Sequence, residues 1–208
     1  MRLSGRLAFE QTSNIVGNAN MQGLDLDVRW GMMRRFNLEN KWSLLAGGST
    51  GLDLGVLYSA RNSNNPIAAK ASWTVNASVG AIYNTQIKKT PVCFRYIAEM
   101  PLTGVFFSPE YGELYYEIYL GNHSNLVRAA WPGNYFRLDN LLTADFRFGR
   151  TILRLGYRCN IASSKASEIV TRHISHTAVI GVASEWISLA PLSEIDDVNK
   201  AKRISAIY

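Results

Sequence analysis

The sequence predicts an all-β fold: an antiparallel up-and-down transmembrane β-barrel of about eight strands, with ten strands as the alternative count and one long external loop. Seven or eight stretches alternate apolar and polar residues with the period of two that a β-strand imposes. No apolar run reaches the 18 or so residues of a membrane helix. Short turns also alternate with longer polar connections, as periplasmic turns and external loops do in outer-membrane barrels.

The polarity of the two strand faces favours a membrane barrel over a soluble sandwich. In most strands the apolar face is rich in aromatic residues and the polar face carries charges. The clearest run sets four apolar residues against four polar ones or glycine: Leu153, Leu155, Tyr157 and Cys159 against Arg154, Gly156, Arg158 and Asn160. A membrane barrel places lipid outside such a wall and polar groups within it.

Eight strands follow in chain order, and the predicted segments are 1–14, 24–31, 42–60, 73–83, 92–99, 136–148, 153–160 and 173–186. Gly47 and Gly48 predict a bulge or a bend in the third strand. The connections after the second, fourth and sixth strands are short. Those after the others are longer and polar, at 13–20, 61–66, 101–125 and 163–168.

Two units are predicted along the chain. Residues 1–189 form the barrel, and residues 190–208 form a C-terminal periplasmic tail, either a short helix or a closing segment. If the tail closes the barrel, the strand count rises to ten, with 111–120 as an additional strand. Residues 1–5 are already strand-like, so we expect a mature or truncated form of an exported protein.

The charge composition limits the classes of partner that we expect for this protein. The net charge is +6, but no basic run exceeds two residues, so nucleic-acid binding is not expected. Scattered basic charge suits outer-membrane lipid and lipopolysaccharide, with another outer-membrane or surface protein as a further partner.

Cys93 and Cys159 fall on opposite faces, which argues against a disulfide. We expect no metal site and no cofactor, because no metal-ligand spacing is present.

The inward faces of the strands predict a network of charges. Eight strands enclose a space that side chains just fill, and an isolated charge there is costly unless it is paired. We therefore expect a plug of salt bridges, with a narrow conducting path or a ligand site as alternatives. The predicted members are Arg6, Glu10, Asp25, Asp27, Arg29, Asp53, Arg95, Glu99, Asp145, Arg147, Arg154, Arg158 and Glu185.

The insertion at 101–125 is the candidate recognition loop, because loops of this length are usually functional or disordered and its aromatic content argues against disorder. Its key residues are Phe106, Phe107, Glu110, Tyr111, Glu113, Tyr115, Tyr116 and Glu117. Its glutamates are expected either to seat the loop as a lid or to meet a protein partner. A lid would pair them with arginines at the barrel mouth, among them Arg61, Arg128, Arg137 and Arg172.

A catalytic site is not predicted. His173 and Ser175 share a strand face but are two steps apart, about 6.6 Å, whereas a nucleophile and its base need about 2.6–3.2 Å. Glu185 lies about 40 Å farther along an extended strand and does not orient His173. The expected role is non-enzymatic. A lipid-modifying outer-membrane enzyme, a narrow pore and a soluble lipocalin-like carrier are the alternatives.

Several segments also resemble a known family. They are 60–66 (ARNSNNP), 104–112 (GVFFSPEYG), 115–118 (YYEI), 120–122 (LGN), 154–157 (RLGY) and 175–176 (SH). At these residues the chain resembles an uncharacterised family of Bacteroidetes outer-membrane barrel proteins, known only as a domain of unknown function. The resemblance implies an address in the outer membrane of a Gram-negative bacterium and supplies no catalytic residues. Together with the pattern, it predicts a structural or accessory subunit of an outer-membrane complex or a surface recognition protein.

Overall fold

A computed structural model describes residues 2–13, 15–17, 19–38, 41–61, 66–108, 115–121, 126–149, 151–166, 169–184, 186–188 and 202–204. In these residues the secondary structure is one short helix and a series of strands. The elements are β1 (Arg2–Ser13), β2 (Asn20–Asn37), β3 (Trp42–Ser59), β4 (Ile67–Ile87), β5 (Thr90–Phe107), α1 (Tyr115–Tyr119), β6 (Val127–Ala130), β7 (Tyr135–Phe148), β8 (Thr151–Ala166), β9 (Ile169–Ser184), β10 (Trp186–Ser188) and β11 (Lys202–Ile204).

The long strands form one antiparallel sheet in chain order, β1-β2-β3-β4-β5-β7-β8-β9, and β6 pairs with the end of β5. β10 and β11 form a separate two-stranded sheet. This confirms the predicted all-β, antiparallel, eight-stranded meander. Within the described residues, no helix has the length and apolar character needed to cross a membrane.

The sheet curls into a half-barrel and is open. Across the described residues, β1 pairs with β2 and β9 pairs with β8, and the two edge strands exchange no ladder hydrogen bonds. The predicted full closure is therefore not met. Alternation of residue type fixes which face of each strand points inward, but it does not fix whether the first and last strands meet.

The two faces of the sheet differ as predicted. Large apolar side chains cover the convex face, where Leu7 is 70% exposed and Val182 is 76% exposed. The concave face buries charged groups, among them Asp27, Arg29 and Asp145, of which Asp145 is only 1% exposed. Because neighbouring residues of a strand point to opposite faces, this division follows directly from the sequence.

A small apolar cluster fills the concave face near the short turns. Leu45, Ile82 and Cys93 are buried together, with Met33 packed against them. Ile152 is fully buried next to the short turn between β7 and β8. Apolar side chains thus fill part of the turn end of the half-barrel, where Asp145 pairs in register with Cys93 and Arg147 with Ile152.

The predicted connection at 163–168 is wrong. β8 continues to Ala166 and pairs with β9 through Ser163, Ser164 and Lys165, which leaves 167–168 between the two strands. Serine and lysine are common in turns, but here their backbone groups join an antiparallel ladder. The connection after the seventh predicted strand is therefore short, contrary to the predicted order.

The predicted insertion also begins too early. β5 runs on to Phe107 after a register shift in which Val75 pairs with Thr103 and Asn76 with Pro101. Leu102 is the extra residue of this bulge. Proline has no N–H group to donate, and such residues are tolerated at a bulge, so the strand passes through Pro101.

The alternative of an added strand at 111–120 is not met either, because Tyr115–Tyr119 form α1.

A bulge at Gly47 and Gly48 is likewise absent, since both residues keep regular pairs with β2 and β4. Gly47 instead allows a close approach: a Cβ there would lie 2.0 Å from the carbonyl oxygen of Met32. Most of the predicted tail, at 189–201 and 205–208, lies outside the described residues.

Candidate functional site: the charged interior and its cavity

Asp27 lies near the centre of the concave face, where arginines from three strands form ion pairs with it. Arg6 on β1 is the most distant, with Nη2 3.8 Å from a carboxylate oxygen. Arg29, two residues along β2, donates from Nε and Nη2 at 3.1 and 2.9 Å. Arg137 donates from β7 through Nη2 at 2.6 Å and also binds Asp53 on β3. Because β7 is not a sheet neighbour of β2, these bonds cross the interior and join opposite parts of the curled sheet.

Arg29 also forms ion pairs across the interior with residues of β5 and β7. Its Nη1 lies 2.5 Å from an oxygen of Glu99 on β5 and 3.5 Å from one of Asp139 on β7. Ser78 donates to the other oxygen of Glu99 at 3.2 Å. All four residues are buried or nearly so, so each charge is compensated where water has little access.

A further set of ion pairs continues the network on β7 and β8. Arg158 binds Asp139, with Nε at 2.8 Å, and Arg154 holds Asp145 through two bonds of 2.6 and 2.8 Å. Arg95 lies 3.8 Å from the same Asp145. Paired bonds of this type from one guanidinium to one carboxylate fix both side chains in position.

The structure brings most of the predicted interior residues together. Nine of them take part in these ion pairs: Arg6, Asp27, Arg29, Asp53, Arg95, Glu99, Asp145, Arg154 and Arg158. Arg147 lies on the concave face near the turn end. Glu185 lies outside the described residues. Glu10 and Asp25 face the concave side near the loop end, where they line a cavity.

Two members of the network are not among the residues predicted to face inward. The sequence predicts Arg137 at the barrel mouth and assigns no role to Asp139. Both share the parity of Thr143 and Asp145 on β7, which placed those residues on the inner face. This alternation along β7 is the feature of the sequence that identifies Arg137 and Asp139 as inward-facing. Asp27 and Asp53 bind Arg137, which places it in the interior network. Its predicted pairing with the loop glutamates stays a prediction, because their side chains lie outside the described residues.

Toward the long connections the interior widens into a cavity of about 420 Å³. On one side the rings of Phe106 and Tyr135 lie 5.1 Å apart, and Ser72 is hydrogen-bonded to the Tyr135 hydroxyl at 2.9 Å. Small residues line much of the rest: Gly55, Ala68, Ala71, Ala162, Ser163 and Ser164. The cavity exists at this level because the inward side chains are short.

One contact in the cavity links the two edges of the sheet. His173 on β9 places Nε2 3.4 Å from an oxygen of Glu10 on β1. Ser175 lines the same cavity, but within the described residues no hydrogen bond joins it to His173. No group of three or more histidine, cysteine or acidic residues suited to a metal occurs in the described part of the chain.

The candidate recognition loop is only partly described. Phe106 is buried in β5 and lines the cavity together with Phe107, so these two aromatics belong to the wall. Tyr116 on α1 is 66% exposed. Glu110, Tyr111 and Glu113 lie outside the described residues, as do the side chains of Tyr115 and Glu117, so the predicted lid pairing stays a prediction.

Comparison with known protein families found a match that spans most of the chain. A family model described as a protein of unknown function, DUF3316, matches residues 2–192. Searches of curated proteins and of solved structures found no match. The expected resemblance to an uncharacterised family is confirmed at that level, and the family description assigns no activity, substrate or partner.

Proposed function

Because the chain belongs to the DUF3316 family, whose description states no function, we propose its role from the two faces of the sheet. We propose an outer-membrane β-barrel protein of a Gram-negative bacterium with a plugged, salt-bridged interior. It serves as a structural or accessory subunit of an outer-membrane complex or as a surface recognition protein, and not as an enzyme. The Bacteroidetes origin is part of the same proposal.

The inside-out polarity of the sheet carries this proposal. Apolar side chains such as Leu7, Trp73 and Val182 lie exposed on the convex face, whereas ion pairs are buried on the concave face. A soluble protein with this arrangement would expose a broad apolar surface to water, and monomeric soluble proteins rarely expose large contiguous apolar patches. In a bilayer the same surface contacts lipid tails.

The open edges of the sheet add a requirement. In lipid, each unpaired backbone N–H or C=O costs several kcal/mol, so β1 and β9 must be paired there. In a meander of eight strands the first and last run antiparallel, and the contact between Glu10 and His173 already links them. Pairing of β1 with β9 in the membrane is therefore part of the proposal.

We expect the purified protein to need detergent and to migrate at different apparent masses before and after boiling. The reason is that a barrel resists unfolding by dodecyl sulfate at room temperature and loses its compact form on heating. Semi-native gel electrophoresis and size-exclusion chromatography in the presence and absence of detergent measure both properties. A monodisperse species in plain buffer would contradict the proposal and favour a lipocalin-like carrier.

A plug is favoured over a narrow pore because side chains cross the interior at two levels. Arg29 spans to Glu99 and Arg137 spans to Asp27, and Ile82 and Ile152 fill the turn end. We expect planar-bilayer recordings of the reconstituted protein to show no steady conductance. Discrete current steps that persist after the connection at 109–114 is deleted would instead support the pore.

A further inference from the structure

We propose that the cavity at the loop end of the concave face binds a neutral polyhydroxylated ligand, of the size and chemistry of a disaccharide. Its volume of about 420 Å³ falls within the range of about 300–1,000 Å³ that is usual for small-molecule sites. The proposal does not depend on a membrane location, since the cavity lies on the concave side of the sheet.

A donor and an acceptor stand side by side on one wall. In the sheet register, Gly55 on β3 pairs with Asp25 on β2 and with Lys70 on β4. A Cβ at Gly55 would lie 2.3 Å from an oxygen of Asp25, so this carboxylate extends over the glycine toward Lys70. Within the described residues, neither Asp25 nor Lys70 has an ion-pair partner. Adjacent hydroxyl groups of a sugar need such a neighbouring acceptor and donor.

The opposite wall holds a buried donor that no described residue satisfies. Asn160 on β8 lines the cavity and is 6% exposed, and among the described residues no group accepts a hydrogen bond from its Nδ2. Arg6 also lines the cavity, and its Nε is likewise buried without a hydrogen-bond partner among the described residues. Buried polar atoms are usually satisfied, so these donors point to a ligand that brings acceptor atoms, directly or through a bridging water.

The remaining lining suits a neutral ligand better than a charged one. Arginine, lysine and acidic residues all line the cavity, so an anion would meet nearby carboxylates and a cation nearby guanidinium groups. Hydroxyl groups add both donors and acceptors, from Ser72, Ser163, Ser164, Thr171 and Ser175. The ring pair Phe106–Tyr135 offers an apolar face of the kind on which the C–H side of a sugar ring rests.

The test is ligand-observed NMR with maltose and cellobiose as probes. If detergent is needed, one without a sugar headgroup avoids competition. Inorganic phosphate and free lysine serve as the charged comparators. We expect saturable binding of at least one disaccharide, weakened tenfold or more by Ala162→Phe, which fills the cavity, and by Asp25→Ala, which removes the acceptor.

Ala178→Phe is the matched control, because it adds the same bulk to β9 at an exposed position that does not line the cavity; its affinity should equal that of the wild type. Absence of saturable disaccharide binding, binding of phosphate or lysine alone, or undiminished binding by both cavity variants would overturn the proposal. Failure of the membrane proposal gives a different result, since the protein is then monodisperse in buffer whether or not it binds sugar.

Discussion

Replacing Asp27 with asparagine is expected to lower the free energy of unfolding by about 3–5 kcal/mol, the usual cost of removing one partner from a buried ion pair. Asp27 is 4% exposed and accepts bonds from Arg29 and Arg137. Asparagine keeps the size of the side chain but removes its charge. Two guanidinium groups then remain in the interior with one carboxylate fewer between them.

Urea titration of the folded band on semi-native gels measures this loss. Asp25→Asn is the control, because Asp25 lies two residues away on the same face of β2 and has no ion-pair partner within the described residues. That variant is expected to change stability by less than about 1 kcal/mol. If Asp27→Asn lowers the free energy of unfolding no more than Asp25→Asn does, the buried ion pairs of Asp27 contribute little to stability.

Replacing Leu52 with arginine is expected to destabilise the protein by about 2–4 kcal/mol if the convex face contacts lipid near the bilayer midplane. Leu52 lies in the middle of β3 between Val28 and Trp73 of the neighbouring strands, and it is 43% exposed. On a water-exposed surface the same change would stay within about 0.5 kcal/mol. The substitution therefore separates the two environments by its magnitude.

Unfolding by urea from lipid vesicles is the measurement, and Ile67→Arg is the matched control. Ile67 is also exposed and apolar, but it is the first residue of β4 at the loop end. Near the membrane interface an arginine costs only about 0–1 kcal/mol. If both variants keep the free energy of unfolding of the wild type, lipid does not cover this face.

Much of the fold was predictable because period-two alternation is a direct consequence of strand geometry. It placed Asp27, Arg29 and Glu99 on one face before any pairing was known. It also carried the signal for Arg137 and Asp139, which the proximity of Arg137 to the long insertion obscured. Ion-pair partners were not predictable, because they depend on register and on which strands face each other across the curl.

The errors lie where residue type and backbone pairing disagree. Ser163 and Ser164 have the composition of a loop, yet they continue β8, and Pro101 stays in β5 because a bulge accommodates it. The cavity was not foreseeable either. It arises only when register brings Gly55, Ala162 and their short neighbours to one level, whereas Leu45 and Ile82 fill the opposite end.

The chain-order topology also bears on how quickly the protein folds and unfolds. Each long strand pairs with the next long strand in sequence, so the ladder grows by local hairpins at little cost in loop entropy. The bonds from Arg29 to Glu99 and from Arg137 to Asp27 join residues 70 and 110 positions apart, so we expect them to form after the local hairpins. Interactions absent from the transition state mainly slow unfolding. We therefore expect the loss of these ion pairs to shorten the lifetime of the folded state far more than it slows folding.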